Sequence, residues 1–136
     1  GEKINDLVMT LPESLLAELD SADLPTGNFH ADTRFTAGRK INDEFINDCF
    51  CLMENSNPGE AGRGIVTLEG KNGKLTIWQD ARLGQYNAIQ IYTPPTRESI
   101  AIEPMTSEPD ALNHHRGLIV ISPGEKRTFT FGAEYK

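Results

Sequence analysis

The chain has 136 residues, 38% of them hydrophobic and 24% charged, a balance that supports a buried core and excludes a disordered polypeptide. Its net charge of -7 is unevenly spread: residues 1–61 carry 12 acids and 4 bases, whereas residues 62–136 carry 8 and 9. A surface of that sign repels phosphate backbones and anionic lipid, so neither nucleic acid nor membrane is an expected partner.

Residues 1–136 are expected to form one domain, because no linker, repeat or low-complexity tract divides them. No run approaches the ~18 apolar residues of a membrane span, and no basic-then-apolar leader is present. The chain begins with Gly rather than Met, which points to a removed natural N-terminus and a segment missing upstream. Cys49 and Cys51 are the only cysteines, and their C-x-C spacing puts both on one face of a strand, too close for an ordinary structural disulfide. They read as buried thiols, and two unpaired thiols suit the cytoplasm.

In chain order, Ile4 to Thr10 is β-prone. Residues 12–20 place Leu15, Leu16 and Leu19 on one helical face behind a Pro-Glu start, although the same stretch also suits a strand and turn. Leu24-Pro-Thr-Gly27 is a turn that opens an irregular polar segment running to about Lys40. Phe50-Cys-Leu-Met53 is a short apolar strand. Gly64-Ile-Val-Thr-Leu-Glu69 and Lys74-Leu-Thr-Ile-Trp-Gln79 form a hairpin turning near Asn72-Gly73. Residues 88–93 alternate, with Ile89 and Ile91 on one face and Gln90 and Tyr92 on the other, and Ser99-Ile-Ala-Ile-Glu103 ends in an acid. Gly117-Leu-Ile-Val-Ile-Ser122 predicts a strand buried on both faces, and Arg127-Thr-Phe-Thr-Phe131 predicts a last one. About seven short strands separated by turns argue an all-β antiparallel sandwich.

Glu103 is the main candidate for chemistry, because it closes an apolar strand and precedes Pro104, which is expected to stop the ladder there. Gln90 and Tyr92 share a face of the preceding strand, and Asp110 and Asn113 lie in the following loop. A carboxylate among amides and a phenol suits a polyol, whose hydroxyls need fixed donors and acceptors. Each of these residues has a plain structural reading as well, as a turn cap or a solvated strand position. His114 and His115 are adjacent and diverge in any regular structure, so no metal site is expected. Neither a phosphate loop nor a Gly-x-Ser-x-Gly elbow is present, and no cofactor is called for.

Several strings, in order, resemble the C-terminal part of the aldose 1-epimerase (galactose mutarotase) family: Ile89-Gln-Ile-Tyr-Thr93, Ile100-Ala-Ile-Glu-Pro-Met-Thr106, Pro109-Asp-Ala-Leu-Asn113, Gly117-Leu-Ile-Val-Ile-Ser-Pro-Gly-Glu125 and Phe129-Thr-Phe-Gly132. Upstream, Leu24-Pro-Thr-Gly27, Asp32-Thr-Arg-Phe35 and Asn47-Asp-Cys-Phe50 are similar to that family's middle portion. The resemblance implies part of a large antiparallel supersandwich and an isomerase acting on a hexose, with Glu103 as general base and Gln90 in contact with the sugar. The family's substrate-binding Asp falls at Asn47, with Asp48 beside it, and either is a candidate; Tyr92 and Asn113 complete the expected sugar contacts. Family members are more than twice as long, and their catalytic histidines lie in an N-terminal half with no counterpart here. His30, His114 and His115 match none of them. The acid is therefore expected from a missing N-terminal half or a second copy of the chain, and the alternative expectation is a carbohydrate-binding sandwich without catalysis.

Overall fold

The computed structural model describes residues 2–52 and 62–136. Two five-stranded antiparallel sheets pack face to face. The first is built from β1 (Val8–Thr10), β4 (Arg39–Lys40), β6 (Arg63–Gly70), β7 (Gly73–Asp80) and β10 (Phe131–Tyr135), in the order β10-β7-β6-β1-β4. The second holds β2 (Ser14–Leu19), β3 (Pro25–Asp32), β5 (Asn47–Leu52), β8 (Ala88–Tyr92) and β9 (Ala101–Met105), in the order β3-β2-β5-β8-β9. A 3₁₀ turn at Ile4–Asp6 and one short helix, α1 (Ala111–His114), are the helical elements among the described residues. None is long and apolar enough to cross a membrane.

Period-two alternation builds the core. Met9, Val66 and Leu68 of the first sheet meet Phe50, Ile89 and Ile91 of the second, and Phe35, Ile41 and Ile46 from the connections close one end. Burying each such side chain contributes about 1.5–3 kcal/mol. Gln79 is buried among them and donates from Nε2 to the Ala88 carbonyl at 3.0 Å, which joins the two sheets with a satisfied polar contact. At Gly64 a Cβ would fall 2.5 Å from Leu52 Cδ1 and 3.3 Å from Gln79 Cγ, so any larger residue there has to displace those side chains.

Several expected elements change. Residues 12–20 form β2 rather than a helix. Leu16 faces the core between the sheets, while Leu15 and Ala17 face the opposite side of the same sheet, so the run is apolar because both faces are covered. The segment from 24 to 40, expected to be irregular, contributes β3 and β4; β3 is polar because it is an edge strand with little to bury. The strand expected at 99–103 lies at Ala101–Met105, and Pro104 does not end it. β9 is the sheet edge, so a residue without an N–H pairs opposite Ile89 at no cost to a neighbouring strand. The β6–β7 turn centres on Lys71-Asn72, one residue earlier than expected, with Gly70 opposite Gly73. The strand ending at Met53 is β5, which runs through Leu52; Met53 itself lies outside the described residues.

The largest correction is downstream. Residues 117–122 join no sheet, and Val120 and Ile121 are 71% and 50% exposed rather than buried. An apolar run becomes a central strand only where two layers cover it, and here no strand lies alongside. The last strand starts at Phe131, where the expected one ended, because residues 131–135 are those that pair with β7.

Replacing Phe50 by Ala is expected to lower unfolding free energy by about 3–5 kcal/mol. Val120→Ala is expected to change it by less than about 0.5 kcal/mol. Urea denaturation of both variants checks the assignment of these two apolar residues to core and surface.

Candidate functional site

β5, β8 and β9 are adjacent strands, and their register decides which polar side chains meet. Gln90 stands opposite Cys49 on one side and Glu103 on the other. Tyr92 stands in the next row between Asn47 and Ala101. All of these belong to the face of the sheet turned away from the core, and directly opposed residues carry Cβ atoms about 4.5–5.5 Å apart. Gln90 Nε2 donates to Asn47 Oδ1 at 3.1 Å, which orients both amides. Glu103 is exposed, and its carboxylate makes no hydrogen bond or ion pair among the described residues, leaving it ready to accept one from a ligand.

The structure separates the two candidates that adjoin in sequence. Asn47 joins Gln90 on the outer face, whereas Asp48 points to the other face and receives Arg34 Nη2 at 2.6 Å. Arg34 also binds Asp32 through Nε at 2.5 Å and Glu44 through Nη1 at 2.8 Å. Burial works against the guanidinium's charge, but the hydrogen bonds to Asp48 and Asp32 outweigh it and hold the pKa above the ordinary arginine value. Asp48 is thus committed to this cluster.

Asn113 lies on α1 and donates to the Asp110 carboxylate at the helix start, in the segment between Glu108 and Arg116. No contact joins it to Glu103 or Gln90 among the described residues. His114 has both ring nitrogens engaged, Nε2 at 2.9 Å from the Pro109 carbonyl oxygen and Nδ1 with the Arg116 backbone N–H at 3.0 Å. His30 falls on β3, opposite Leu16 and far from β9 in strand order. Among the described residues no three His, Cys, Asp or Glu side chains are grouped as a metal site.

Sequence reasoning missed Phe45. Its ring is 60% exposed and meets Tyr92 edge to face, with centroids 6.0 Å apart, beside Asn47 and Gln90. The loop that carries it is held from several directions. Arg34 and Arg39 bind Glu44, Arg97 Nη1 donates to the Glu44 carbonyl at 2.7 Å and Nη2 to that of Asn42 at 2.6 Å, and Thr93 exchanges backbone and hydroxyl hydrogen bonds with Ile46. Nothing in the sequence separates it from Ile41 and Ile46, which the fold buries while it leaves Phe45 exposed.

The thiols differ from each other. Cys49 is fully buried, and hydrogen bonding to Cys51 together with burial pushes its pKa far up. Cys51 is half-buried, and accepting that hydrogen bond lowers its pKa against the opposing effect of burial. Only the first is the fully buried thiol that the spacing suggested.

No protein-family model matches the chain, and no curated protein matches it in sequence.

Iodoacetamide is expected to modify Cys51 before Cys49 in the folded protein, with a half-maximal rate below the ordinary thiol pKa of about 8.5. In Cys49→Ala the donor to Cys51 is gone, and that midpoint should move up; an unmoved midpoint assigns the reactivity elsewhere. Asp48→Ala should cost about 1–3 kcal/mol by removing a charged hydrogen-bond partner, while Asn47→Ala should leave stability within about 0.5 kcal/mol, as read by denaturant titration.

Proposed function

We propose that this chain carries the base-bearing part of a site that interconverts the α and β anomers of a hexose, with Glu103 as the base. The observation that supports it is the direct pairing of Glu103 with Gln90 across β9 and β8. The residues that the aldose 1-epimerase resemblance casts as base and sugar contact lie 13 positions apart in the chain, and the register sets them side by side on an exposed face.

In this reading the free Glu103 carboxylate takes the proton from the anomeric hydroxyl. The bond between C1 and the ring oxygen breaks as that oxygen gains a proton, the aldehyde turns about C1–C2, and the ring closes on its other face. Gln90, oriented by Asn47, pairs with a neighbouring hydroxyl and fixes the sugar against the base, at the 2.6–3.2 Å separation that proton transfer requires, a general value of about that range. Tyr92 and Phe45 offer C–H-binding ring surface at the rim. None of the three histidines lies in the row of Gln90 and Glu103, His30 being on β3 and His114 and His115 at α1, so this reading takes the acid for the ring oxygen from a second copy or another polypeptide.

A second reading, carbohydrate binding without turnover, is favoured by the exposed Phe45–Tyr92 ring pair, whose surfaces suit the C–H groups of a sugar. Polarimetry of freshly dissolved α-glucose or α-galactose separates the two. Acceleration by the wild-type chain that falls by about 10²–10⁴ in Glu103→Gln supports the catalytic reading. A sugar-dependent rise in melting temperature without acceleration, retained in Glu103→Gln and lost in Gln90→Ala, supports binding alone. Neither effect removes both.

A further inference from the structure

Cys49 and Cys51 have no part in the chemistry of the Gln90–Glu103 row. Both point outward from β5, two residues apart on one face, with Cys49 opposite Gln90 and Cys51 opposite Ala88 on β8. Cys49 is buried with Ala17 and Ala88, and Phe29, Cys51 and Met105 pack against that cluster. The two thiols lie within hydrogen-bonding reach of each other, Cys49 donating to Cys51.

Their access differs. Cys51 is half-buried and lines a cavity of 230 Å³ together with Leu15, Phe29 and Arg116, whereas Cys49 has no exposed surface. That volume is several times the ~30 Å³ share of one water, so a reagent as small as a peroxide has room beside Cys51. The thiolate is the reactive form of a cysteine. At Cys51 the hydrogen bond from Cys49 favours it, burial and the Glu108 carboxylate oppose it, and the Arg116 guanidinium favours it again, with a net lowering of the pKa. Cys49 stays protonated, its pKa raised by the hydrogen bond it gives to Cys51 and by burial.

The strand also lets the two sulfurs join. At a rise of about 3.2–3.4 Å per residue, Cα atoms two positions apart are about 6.4–6.8 Å apart, at the upper end of the roughly 4.4–6.8 Å that a disulfide spans. A bridge here contracts β5 around Phe50, which the core holds in place, so it is strained and easily reduced, unlike a structural disulfide.

We propose that Cys51 and Cys49 form a reversible, peroxide-reactive pair, with Cys51 as the nucleophile and Cys49 as the thiol that closes the disulfide. Cys51 Sγ attacks one oxygen of hydrogen peroxide; the S–O bond forms, the O–O bond breaks, and the departing hydroxide leaves as water with the Cys51 proton. Sulfur is oxidised to the sulfenic acid and the peroxide is reduced. Cys49 Sγ then attacks that sulfur; the S–S bond forms as the S–O bond breaks, and the hydroxide takes the Cys49 proton to give a second water. A small thiol reductant restores both cysteines by exchange. None of this rests on the carbohydrate reading.

The test treats the full chain with hydrogen peroxide at neutral pH, then denatures it, alkylates it and maps it by mass spectrometry. Both alkylatable thiols are expected to be lost together, the peptide holding Cys49 and Cys51 to be lighter by two hydrogen atoms, the chain to stay monomeric on a non-reducing gel, and dithiothreitol to recover both thiols. Cys49→Ser is expected to stop at a sulfenic acid on Cys51, trapped by dimedone, and Cys51→Ser to leave Cys49 alkylatable after the same exposure. Amide NMR spectra report that each variant is folded. Two free thiols after peroxide, a disulfide between two chains, a dimedone adduct that accumulates in wild type without a bridge, or Cys49 consumed as fast in Cys51→Ser as in wild type overturns the proposal. So does oxidation that runs faster in urea than in the folded chain, since the fold then only shields the thiols.

Discussion

The register of β5 is the constraint on which the rest depends. β5 is the middle strand of its sheet, and its alternation sends Asp48, Phe50 and Leu52 to the core side and Asn47, Cys49 and Cys51 outward. Phe50 fixes that choice by burial, and the Arg34–Asp48 ion pair fixes it again by charge. A slip of one residue would expose Phe50 and carry Asn47 away from Gln90, so hydrophobic burial and site assembly select the same register.

Arg34 extends this control beyond the strand. Three carboxylates from β3, β5 and the connection before β5 converge on one guanidinium that also lies over the Phe35 and Phe50 rings, at 5.6 and 5.7 Å. Three of the twelve acids of residues 1–61 are thereby paired on a single cation. Arg97 works on the same connection from the other end of the chain, bonding Asn5, Asn42 and Glu44. The outcome is a stiff rim that holds Phe45 and Tyr92 beside the amides, so the exposed aromatic pair needs little ordering when a ligand arrives.

The outer face then carries two kinds of polar site. Around Gln90 the groups are exposed and a free carboxylate is presented to solvent. Under the segment that follows β9 the Glu108 carboxylate is buried, with Oε1 bonded to Arg116 and Oε2 one hydrogen bond short. The difference follows from coverage: residues 106–117 cross above the Cys51 end of the sheet and leave the Glu103 row open.

Period-two alternation made β6 and β8 legible in the sequence, with Val66 and Leu68 buried along one face of β6 and Ile89 and Ile91 along one face of β8. The same local signal failed where burial was set by distant neighbours. β2 imitates a helix because it is apolar on both faces, and residues 117–122 imitate a core strand although no strand pairs with them. Glu103, Gln90, Tyr92 and Asn47 were each visible as polar residues in or beside β-strands. By itself the sequence determined an all-β chain, its alternation and the residue types offered to a ligand. Only the tertiary structure decided that Asn47 joins Gln90 and Glu103 while Asp48 turns to Arg34, since adjacent residues of a strand face opposite ways and which face is outward depends on what the other sheet buries.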